Sequence, residues 1–283
     1  MKSRQRATAQ PVSASVRSSV PIITLTTDFG TADYFVAAMK GVILSRNPQA
    51  CIVDITHEIP PQDIEAGAFI LLTACTSFPA GTIHVAVVDP GVGSSRKPIA
   101  IQAGGQFFVG PDNGLFSYVC DRLPVTGVFH LTNTQYFLDP VSPTFNGRDI
   151  FAAVAAARSS GVEPKELGTE ITDYVRLKSL TPETSRNGEI KARVIHIDRF
   201  GNCVTNITRN ELRREQIKAG VTLRIKGKTI KSFRNYFAEE SDSREKVFAV
   251  WGSAGFLEIA VANASAAKLL RVQRGDAVVI SMS

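Results

Sequence analysis

The fold of this chain can be inferred from the stretch IITLTTDFG, residues Ile22 to Gly30, where an apolar β-branched run leads into a polar turn. A helical pattern follows from Tyr34 to Arg46, in which Val36, Met39 and Ile43 share one face. A strand followed directly by an amphipathic helix is the repeating unit of an α/β domain. We therefore expect the chain to begin its ordered part with such a domain.

The same alternation continues downstream. Cys51 to Ile55 and Thr82 to Val88 predict two more strands, and Asp63 to Cys75 predicts a helix between them. Unbroken apolar strands alternating with helices indicate a mostly parallel sheet sandwiched by helices. Pro98 to Val109 then predicts a hairpin around Gly104-Gly105, and Arg148 to Arg158 predicts an alanine-rich helix.

A second domain is predicted after the polar segment Leu177 to Gly188, which lacks either periodicity. Short strands with few helices between them predict an all-β domain, a closed or nearly closed barrel. The predicted organisation is a disordered tail at 1–20, an α/β domain at 21–178 and a β-barrel domain at 189–283. The five predicted barrel strands are Ile190 to Ile197, Val221 to Ile225, Val247 to Trp251, Leu257 to Val261 and Ala277 to Ser281.

Composition narrows the class of protein. A chain of 283 residues with 44% hydrophobic residues is long enough to bury two cores. Its net charge of +6 owes much to the tail, where Lys2, Arg4, Arg6 and Arg17 occur without any acid. No basic run interleaved with aromatic residues follows Val20, so we expect no nucleic-acid partner.

The cysteines and the apolar runs indicate which metals, membranes and cellular compartment to expect for this protein. Cys51, Cys75, Cys120 and Cys203 are widely separated and lie near no histidine at metal-ligand spacing, so we expect reduced, mostly buried thiols and no metal. No apolar run is long enough for a membrane span, and no secretory signal is present, which predicts a cytoplasmic protein without a membrane partner. The tail has the composition of an organelle transit peptide, but a disordered extension is favoured.

Polar clusters follow two of the predicted strands, where ligands of α/β sheets bind. Asp28 follows the first strand and is either a ligand for ribose hydroxyls or a capping or turn aspartate. The loop Asp89 to Arg96 brings an acid and an arginine to one glycine-rich turn, which is either a ligand loop or an ordinary loop with a surface ion pair.

Together these motifs resemble the S-adenosyl-L-methionine (SAM) hydroxide adenosyltransferase family, relatives of the fluorinating and chlorinating enzymes. The resemblance extends from Ile22 to Ile280. It rests on six strings in the right order, namely Thr26 to Gly30, Val53 to Pro61, Asp89 to Arg96, Gly110 to Gly114, Ile197 to Asn202 and Gly255 to Ala260.

The resemblance implies that the protein binds SAM without a further cofactor or metal, and forms a homotrimer with active sites between the first domain of one subunit and the second of its neighbour. Asp28 is then expected to hold the ribose hydroxyls. The other implied contacts are Asp198 and Asn202 to the methionine amine, Ser253 near its carboxylate, Phe200 and Phe237 on the adenine ring, and backbone groups around Val261 and Asn263 at the adenine edge.

The implied reaction is hydrolysis of SAM to adenosine and L-methionine by in-line attack of water on the ribose C5′. Family members orient this water with Asp, Arg and His, and the first two correspond to Asp89 and Arg96. The family string Phe-His-Gly-Arg-Asp reads Phe145-Asn146-Gly147-Arg148-Asp149 here. Asn146 can orient a water but cannot accept its proton as a base.

Two alternatives stay open at this point. A protein that binds SAM or adenosine without consuming it is suggested by Asn146. A SAM-dependent halogenase is disfavoured, because halide-using relatives carry an extra loop after the position of Arg96, whereas this chain runs directly from Arg96 to Gly110.

Overall fold

The fold contains two β-sheets that have no strand in common. The structure, a computed structural model, describes residues 20–239 and 246–282. The tail predicted at 1–20 lies outside the described residues, apart from Val20.

The first sheet has seven strands in the order β2-β1-β3-β5-β4-β6-β7. The pairs β1/β2, β1/β3 and β3/β5 are parallel, and the pairs beyond β5 are antiparallel. The mostly parallel sheet is thereby confirmed, with an antiparallel extension at one side. Its strands are β1 (Ile22–Thr27), β2 (Cys51–Thr56), β3 (Ile83–Val87), β4 (Pro98–Ala103), β5 (Gln106–Pro111), β6 (Val125–Leu131) and β7 (Gly168–Glu170).

Helices cover both faces of this sheet, as predicted. Along β3, Val85 and Val87 join the core formed with α1 and α4, whereas Ala86 and the following Val88 join the core formed with α2 and α3. This alternation explains the continuous apolar sequence, since both faces are buried. The helices of the chain are α1 (Phe35–Arg46), α2 (Ile64–Cys75), α3 (Ser117–Arg122), α4 (Ala153–Ser159), α5 (Pro164–Leu167), α6 (Arg214–Ala219) and α7 (Ala266–Leu270).

The helix predicted from Arg148 to Arg158 is two segments. A π-helical segment, Gly147–Ala152, leads into α4. At its start, the backbone N–H groups of Arg148 and Asp149 both donate to the carbonyl of Phe145. The alanine-rich composition predicts a helix, but it does not show that the first turns are the wider π-helical form.

The second sheet is curled, in the order β12-β11-β16-β9-β10-β15-β14-β13, with β8 paired to β9. Its terminal strands β12 and β13 form no ladder with each other in the described part of the chain, so the predicted barrel is an open, curled half-barrel. The strands are β8 (Glu183–Thr184), β9 (Ile190–Ile197), β10 (Cys203–Thr208), β11 (Val221–Ile225), β12 (Lys228–Ile230), β13 (Phe233–Arg234), β14 (Val247–Trp251), β15 (Phe256–Val261) and β16 (Ala277–Met282).

Strand β10 was missed by the sequence analysis although every residue in it is buried. Its polar residues are satisfied inside the protein. The hydroxyl of Thr205 donates to the carbonyl of Leu257 at 2.8 Å, and the amide of Asn206 donates to the carbonyl of Leu180 at 2.7 Å. These tertiary hydrogen bonds allow a sequence without strand periodicity to lie at the centre of the sheet.

The N-terminal part of α2 is tied to the second sheet. Arg274 pairs with Asp63 at 2.5 Å, and Asp63 also caps α2 by accepting from the N–H of Ala66. Arg193 pairs with Glu65 at 2.7 Å, while Tyr118 donates to the same Glu65 oxygen at 2.7 Å. These contacts link the two domains.

All four cysteines are free; Cys75 and Cys203 are buried and Cys51 is exposed. Among the described residues, no group of three or more His, Cys, Asp or Glu side chains is arranged to hold a metal ion. Within the same residues, no helix has both the length and the apolar character needed to cross a bilayer.

Candidate active site

The polar clusters of the first domain meet at one edge of its sheet. Strands β1 and β3 are parallel neighbours with Thr27 opposite Val87, so Asp28 and Asp89 follow their ends side by side. The amide of Asn113 donates to the carbonyl of Val88 at 2.8 Å and so supports the chain just before Asp89. The carboxyl ends of parallel strands are the usual place for a ligand in such folds.

Asp28 does not cap a helix, because α1 begins at Phe35 with Tyr34 as its N-cap residue. Its Oδ2 accepts a hydrogen bond from the backbone N–H of Gln62 at 2.8 Å. Its Oδ1 has no partner in the described part of the chain. One carboxylate oxygen is thus left for a ligand.

A buried polar relay holds the loop that carries Asp28. Thr27 Oγ1 and His57 Nδ1 share a hydrogen bond of 2.9 Å, and the N–H of Gly30 donates to the carbonyl of His57 at 2.7 Å. Asp54 lies 3.2 Å from His57 Nε2 and pairs with Lys40 at 2.6 Å. Burial acts to raise the pKa of Asp54, but hydrogen bonds from Lys40 and His57 outweigh it and the pKa is lowered. The string from Val53 to Pro61 therefore positions Asp28.

Asp89, Arg96 and Asn146 form one connected cluster. Arg96 Nε donates to Asp89 Oδ1 at 2.9 Å and Nη2 donates to Oδ2 at 2.5 Å. The two side chains are only 10% and 4% exposed, so this is no ordinary surface ion pair. Arg96 Nη2 also donates to Asn146 Oδ1 at 2.7 Å. A fork-like pair of this kind fixes both orientation and charge.

Both the oxygen and the nitrogen of the Asn146 side-chain amide form hydrogen bonds. Its oxygen accepts from Arg96, and its nitrogen donates to the carbonyl of Ser142 at 3.2 Å. Asn146 therefore links Arg96 to the loop before the π-helical segment. One N–H of the amide remains for a water.

Gly93 allows the loop of Asp89 to approach that of Asn146. Its φ is +79°, and an added Cβ would lie 2.5 Å from the carbonyl oxygen of Pro143. No larger residue fits this contact without a shift of the backbone. Gly93 therefore allows the loop that carries Asp89 to contact the loop that precedes Asn146.

An aromatic cluster borders these residues. The ring centroid of Phe35 lies 5.6 Å from that of Phe29, 5.2 Å from that of Phe145 and 4.6 Å from that of Tyr34. Tyr34 is 65% exposed despite these neighbours. A large exposed ring beside a polar site indicates a surface that a ligand or another chain covers.

The second domain contains a cavity of about 770 Å³, within the size range of small-molecule sites. It is lined by all seven residues that the sequence analysis assigned to substrate in this domain: Asp198, Phe200, Asn202, Phe237, Ser253, Val261 and Asn263. The structure brings them together from four separate segments of the chain.

Asp198 organises one wall of this cavity. Its Oδ1 accepts from the N–H groups of Phe200 and Asn202 at 2.9 and 2.8 Å, and its Oδ2 accepts from the Asn202 amide at 2.8 Å. This tight turn presents Phe200 to solvent with 78% of its surface exposed. The turn thus combines a carboxylate with an uncovered ring.

The lining residues that were not identified from the sequence include two with large side chains, Trp251 and Glu258. Oxygen Oε1 of Glu258 lies 1.8 Å from where a Cβ of Gly252 would be, so the acid occupies space that this glycine leaves open. Burial, and then the charge of Asp198, raise the pKa of Glu258 to about 7. Trp251 lies within an ordinary strand pattern and has no local signal, whereas Glu258 belongs to the string Gly255 to Ala260 and could have been identified as the acid of that string.

Among the described residues, the charged side chains that line this cavity are all acidic. Its lining contains Asp198 and Glu258 but, among the described residues, no lysine, arginine or histidine. Glu258 makes no hydrogen bond or ion pair with the described part of the chain. A ligand with positive charge complements such a wall.

The expected site has two halves, one in each domain of the chain. Asp28, Asp89, Arg96 and Asn146 belong to the first domain, and none of them is among the described residues that line the cavity of the second. Each half carries an exposed aromatic residue, Tyr34 in one and Phe200 in the other.

Comparison with known proteins agrees with the two-domain organisation. The profile of the SAM hydroxide adenosyltransferase N-terminal domain matches residues 23–168, and that of the C-terminal domain matches residues 192–279. An (R)-S-adenosyl-L-methionine hydrolase of Methanocaldococcus jannaschii is 41% identical over 275 residues, covering 92% of this chain and 95% of the relative.

More distant similarity reaches the halogenating relatives. A fluorinase of an Actinoplanes species is 29% identical over 231 residues, covering 72% of this chain and 78% of the fluorinase. The crystal structure of an uncharacterised conserved protein from Thermotoga maritima superimposes with a TM-score of 0.84 at 34% identity, covering 91% of this chain and 99% of that one. On these matches, this chain belongs to the SAM hydroxide adenosyltransferase family.

Proposed function

We propose that this protein hydrolyses SAM to adenosine and L-methionine. The observation that carries the proposal is the cavity of Asp198 and Glu258, whose two acids and aromatic walls suit a sulfonium attached to an adenosine. Family membership and the names of the relatives support the same substrate.

In the proposed reaction a water oxygen attacks C5′ in line with the C5′–S bond. The bond electrons move to sulfur, which leaves as the neutral thioether of methionine, and the water proton is released to solvent by way of Asp89. Asp28 holds the ribose hydroxyls, and Arg96 stabilises the hydroxide character that the water oxygen gains as its proton moves toward Asp89. Because the leaving group is already cationic, the step requires no metal or further cofactor.

Asn146 has a positioning role in this proposal. It holds Arg96 through its amide oxygen and offers one N–H to the attacking water. It cannot remove the proton, so the enzyme relies on alignment more than on base catalysis.

Product analysis tests the reaction. Incubation with SAM in ¹⁸O-water is expected to give methionine and adenosine labelled at the 5′ oxygen. Unchanged SAM that stays bound would instead favour a binding protein, the alternative suggested by Asn146. Appearance of 5′-halo-adenosine in chloride or fluoride would favour a halogenase.

We further propose that the working form is a homotrimer with each site shared between two subunits. The placement of the two half-sites in different domains of the chain supports this, as do the exposed rings of Tyr34 and Phe200. Closed symmetry would bring the first domain of each subunit to the second domain of the next.

Mixing two variants that bind SAM weakly, assayed at a low SAM concentration, tests the shared site. Asp28→Ala disables the first-domain half and Asp198→Asn the second-domain half. After joint unfolding and refolding, about a quarter of the sites should combine two intact halves and regain activity. A mixture as inactive as its components would overturn the shared site.

The substrate epimer is a further part of the proposal. The hydrolase relatives are named for (R)-SAM, the sulfonium epimer, and we infer the same preference here. Separate assays of the two epimers test it. We also propose a cytoplasmic location, which the four free thiols support because disulfides are rare in that compartment, and we propose neither a nucleic-acid nor a membrane partner.

A further inference from the structure

A second cavity, opposite in charge to the first, is bordered by Trp251. It has a volume of about 470 Å³ and is lined by Arg209, Arg214, Lys218 and Arg234, with Asn235 and the apolar residues Ile217, Phe233, Val250 and Trp251. No acidic residue is among the described residues that line it. Trp251 also lines the acidic cavity, so one indole borders both.

Three separate segments supply the four cations of this basic cavity. Arg209 follows β10, Arg214 and Lys218 lie on α6, and Arg234 lies on β13. Arg214 and Lys218 are four residues apart and therefore share a helix face, where two like charges destabilise the helix. A fold that brings four like charges into one concavity gains from an anion placed there.

None of the four cations forms an ion pair within the described part of the chain. The ion pairs of the described residues include other arginines and lysines, such as Arg224 with Glu189 and Lys226 with Asp276, but none of these four. The acid Glu239 has its pKa lowered chiefly by hydrogen bonds from Asn235 and to a lesser extent by Arg234. Its carboxylate accepts from Asn235 at 2.5 and 3.0 Å, so Asn235 already engages it.

Arg234 and Arg209 are held by aromatic rings. The guanidinium of Arg234 lies 4.0 Å above the ring centroid of Phe248, and its buried Nε–H has no hydrogen-bond acceptor among residues 20–239 and 246–282. The guanidinium of Arg209 lies 4.7 Å above the ring of Trp251. Stacking orients a guanidinium while leaving its N–H groups available in the ring plane. A buried donor without an acceptor is costly unless a ligand supplies one.

We propose that this basic cavity is a binding site for a compact polyanion bearing phosphate groups, separate from the SAM site. Several oxyanion groups in a chain match several guanidinium and ammonium groups around one concavity, and guanidinium groups bind them through paired hydrogen bonds. The volume and the flat walls of Phe233 and Trp251 suit either an inorganic polyphosphate or the phosphate chain of a nucleotide.

Trp251 is the only tryptophan of the chain, which allows a direct measurement. Tripolyphosphate is titrated into the full-length protein with the SAM site saturated by adenosine, and binding is followed by tryptophan fluorescence and by calorimetry. We expect saturable binding that weakens as salt is raised. Absence of saturable binding by both methods would overturn the proposal.

Matched variants locate the site. Arg214→Ala with Lys218→Ala is expected to weaken tripolyphosphate binding at least about tenfold, as expected when charge-assisted hydrogen bonds are lost. Arg186→Ala with Lys228→Ala removes the same charge outside the cavity and should leave binding unchanged. Equal loss in both double variants would show non-specific attraction and overturn the site.

Two further measurements separate this proposal from the hydrolase and identify the anion source. Adenosine affinity and SAM turnover should be unchanged in Arg214→Ala with Lys218→Ala. The anion-binding proposal can therefore be wrong while the proposed hydrolase activity is correct. ATP is titrated under the same adenosine-saturated conditions. Tighter binding of ATP than of tripolyphosphate assigns the site to nucleotides, and equal binding assigns it to inorganic polyphosphate.

Discussion

Arg96 donates two parallel hydrogen bonds to Asp89, from Nε to Oδ1 at 2.9 Å and from Nη2 to Oδ2 at 2.5 Å. The pair stands at the carboxyl edge of the first sheet, where β3 ends, and is almost closed to solvent. A charge pair held this rigidly is suited to align a water without reorganising during the reaction.

Arg96→Lys is expected to lower kcat about 10²–10³-fold, the loss typical of removing one positioned donor. Lysine lacks the planar fork and cannot hold both Asp89 oxygens and the Asn146 amide together. The measurement is kcat with adenosine affinity as a binding check. Arg176→Lys, which alters an exposed pair with Asp121, is the control. An unchanged kcat in Arg96→Lys would exclude Arg96 from the reaction.

Asn146→His is expected to raise kcat by ~10²-fold, the lower end of what a positioned general base contributes. A neutral imidazole can donate from one ring nitrogen to the carbonyl of Ser142, as the Asn146 amide does, and accept the water proton at the other. The pH profile of kcat should then gain a limb near the ordinary histidine pKa of about 6.5. Asn146→Ala, which loses both hydrogen bonds, should be slower than the parent. No gain with histidine would show that alignment alone limits the rate.

Asp28→Ala is expected to weaken adenosine binding by ~1.5–3 kcal/mol, because the ribose hydroxyls lose a charged acceptor. Asp28→Asn keeps an oxygen for the N–H of Gln62 and should lose less affinity. Calorimetry with adenosine measures both, and circular dichroism checks the fold. Equal affinity in all three proteins would remove Asp28 from the ribose site.

Glu258 makes SAM affinity depend on pH. Its pKa of about 7 in the empty cavity means that the acid gains negative charge as the pH rises through that value. SAM should bind up to about tenfold tighter above this range, whereas the uncharged thioether S-adenosylhomocysteine should show less change. Asp198, and His196 and Arg122 in the adjoining cavity, are the other charged or titratable groups nearby.

His196 does not account for that dependence, because burial lowers its pKa. Glu258→Gln should abolish the change in SAM affinity between about pH 6 and about pH 8. A dependence that persists in Glu258→Gln would assign it to another group.

The same residue predicts a trend in stability. The folded protein raises the pKa of Glu258 from 4.5 to about 7, so it favours the protonated acid. The contribution of Glu258 to stability is therefore full below its ordinary pKa and is lost as the pH rises through about 7. Relative to Glu258→Gln, the parent should lose stability from about pH 5 to about pH 8 in denaturant titrations. The opposite trend would contradict the raised pKa.

Much of the architecture follows from local pattern. The alternation from Ile22 to Val88 predicted strands, helices and their order, and the structure confirms them within one or two residues at each end. Strand β10 and the π-helical segment were missed, because buried Thr205 and Asn206 depend on distant carbonyls and a wide helical turn leaves no period in the sequence.

The sequence by itself determined the two domains, the family and the positions of Asp28 and Asp89, since these depend on periodicity, on strings of adjacent residues and on where strands end. Only the tertiary structure decided that Asn146 holds Arg96, that Glu258 joins Asp198, and that Arg209 and Arg234 share a concavity. Each of these encounters joins residues far apart in the chain, and its energy comes from packing and burial that no local pattern encodes.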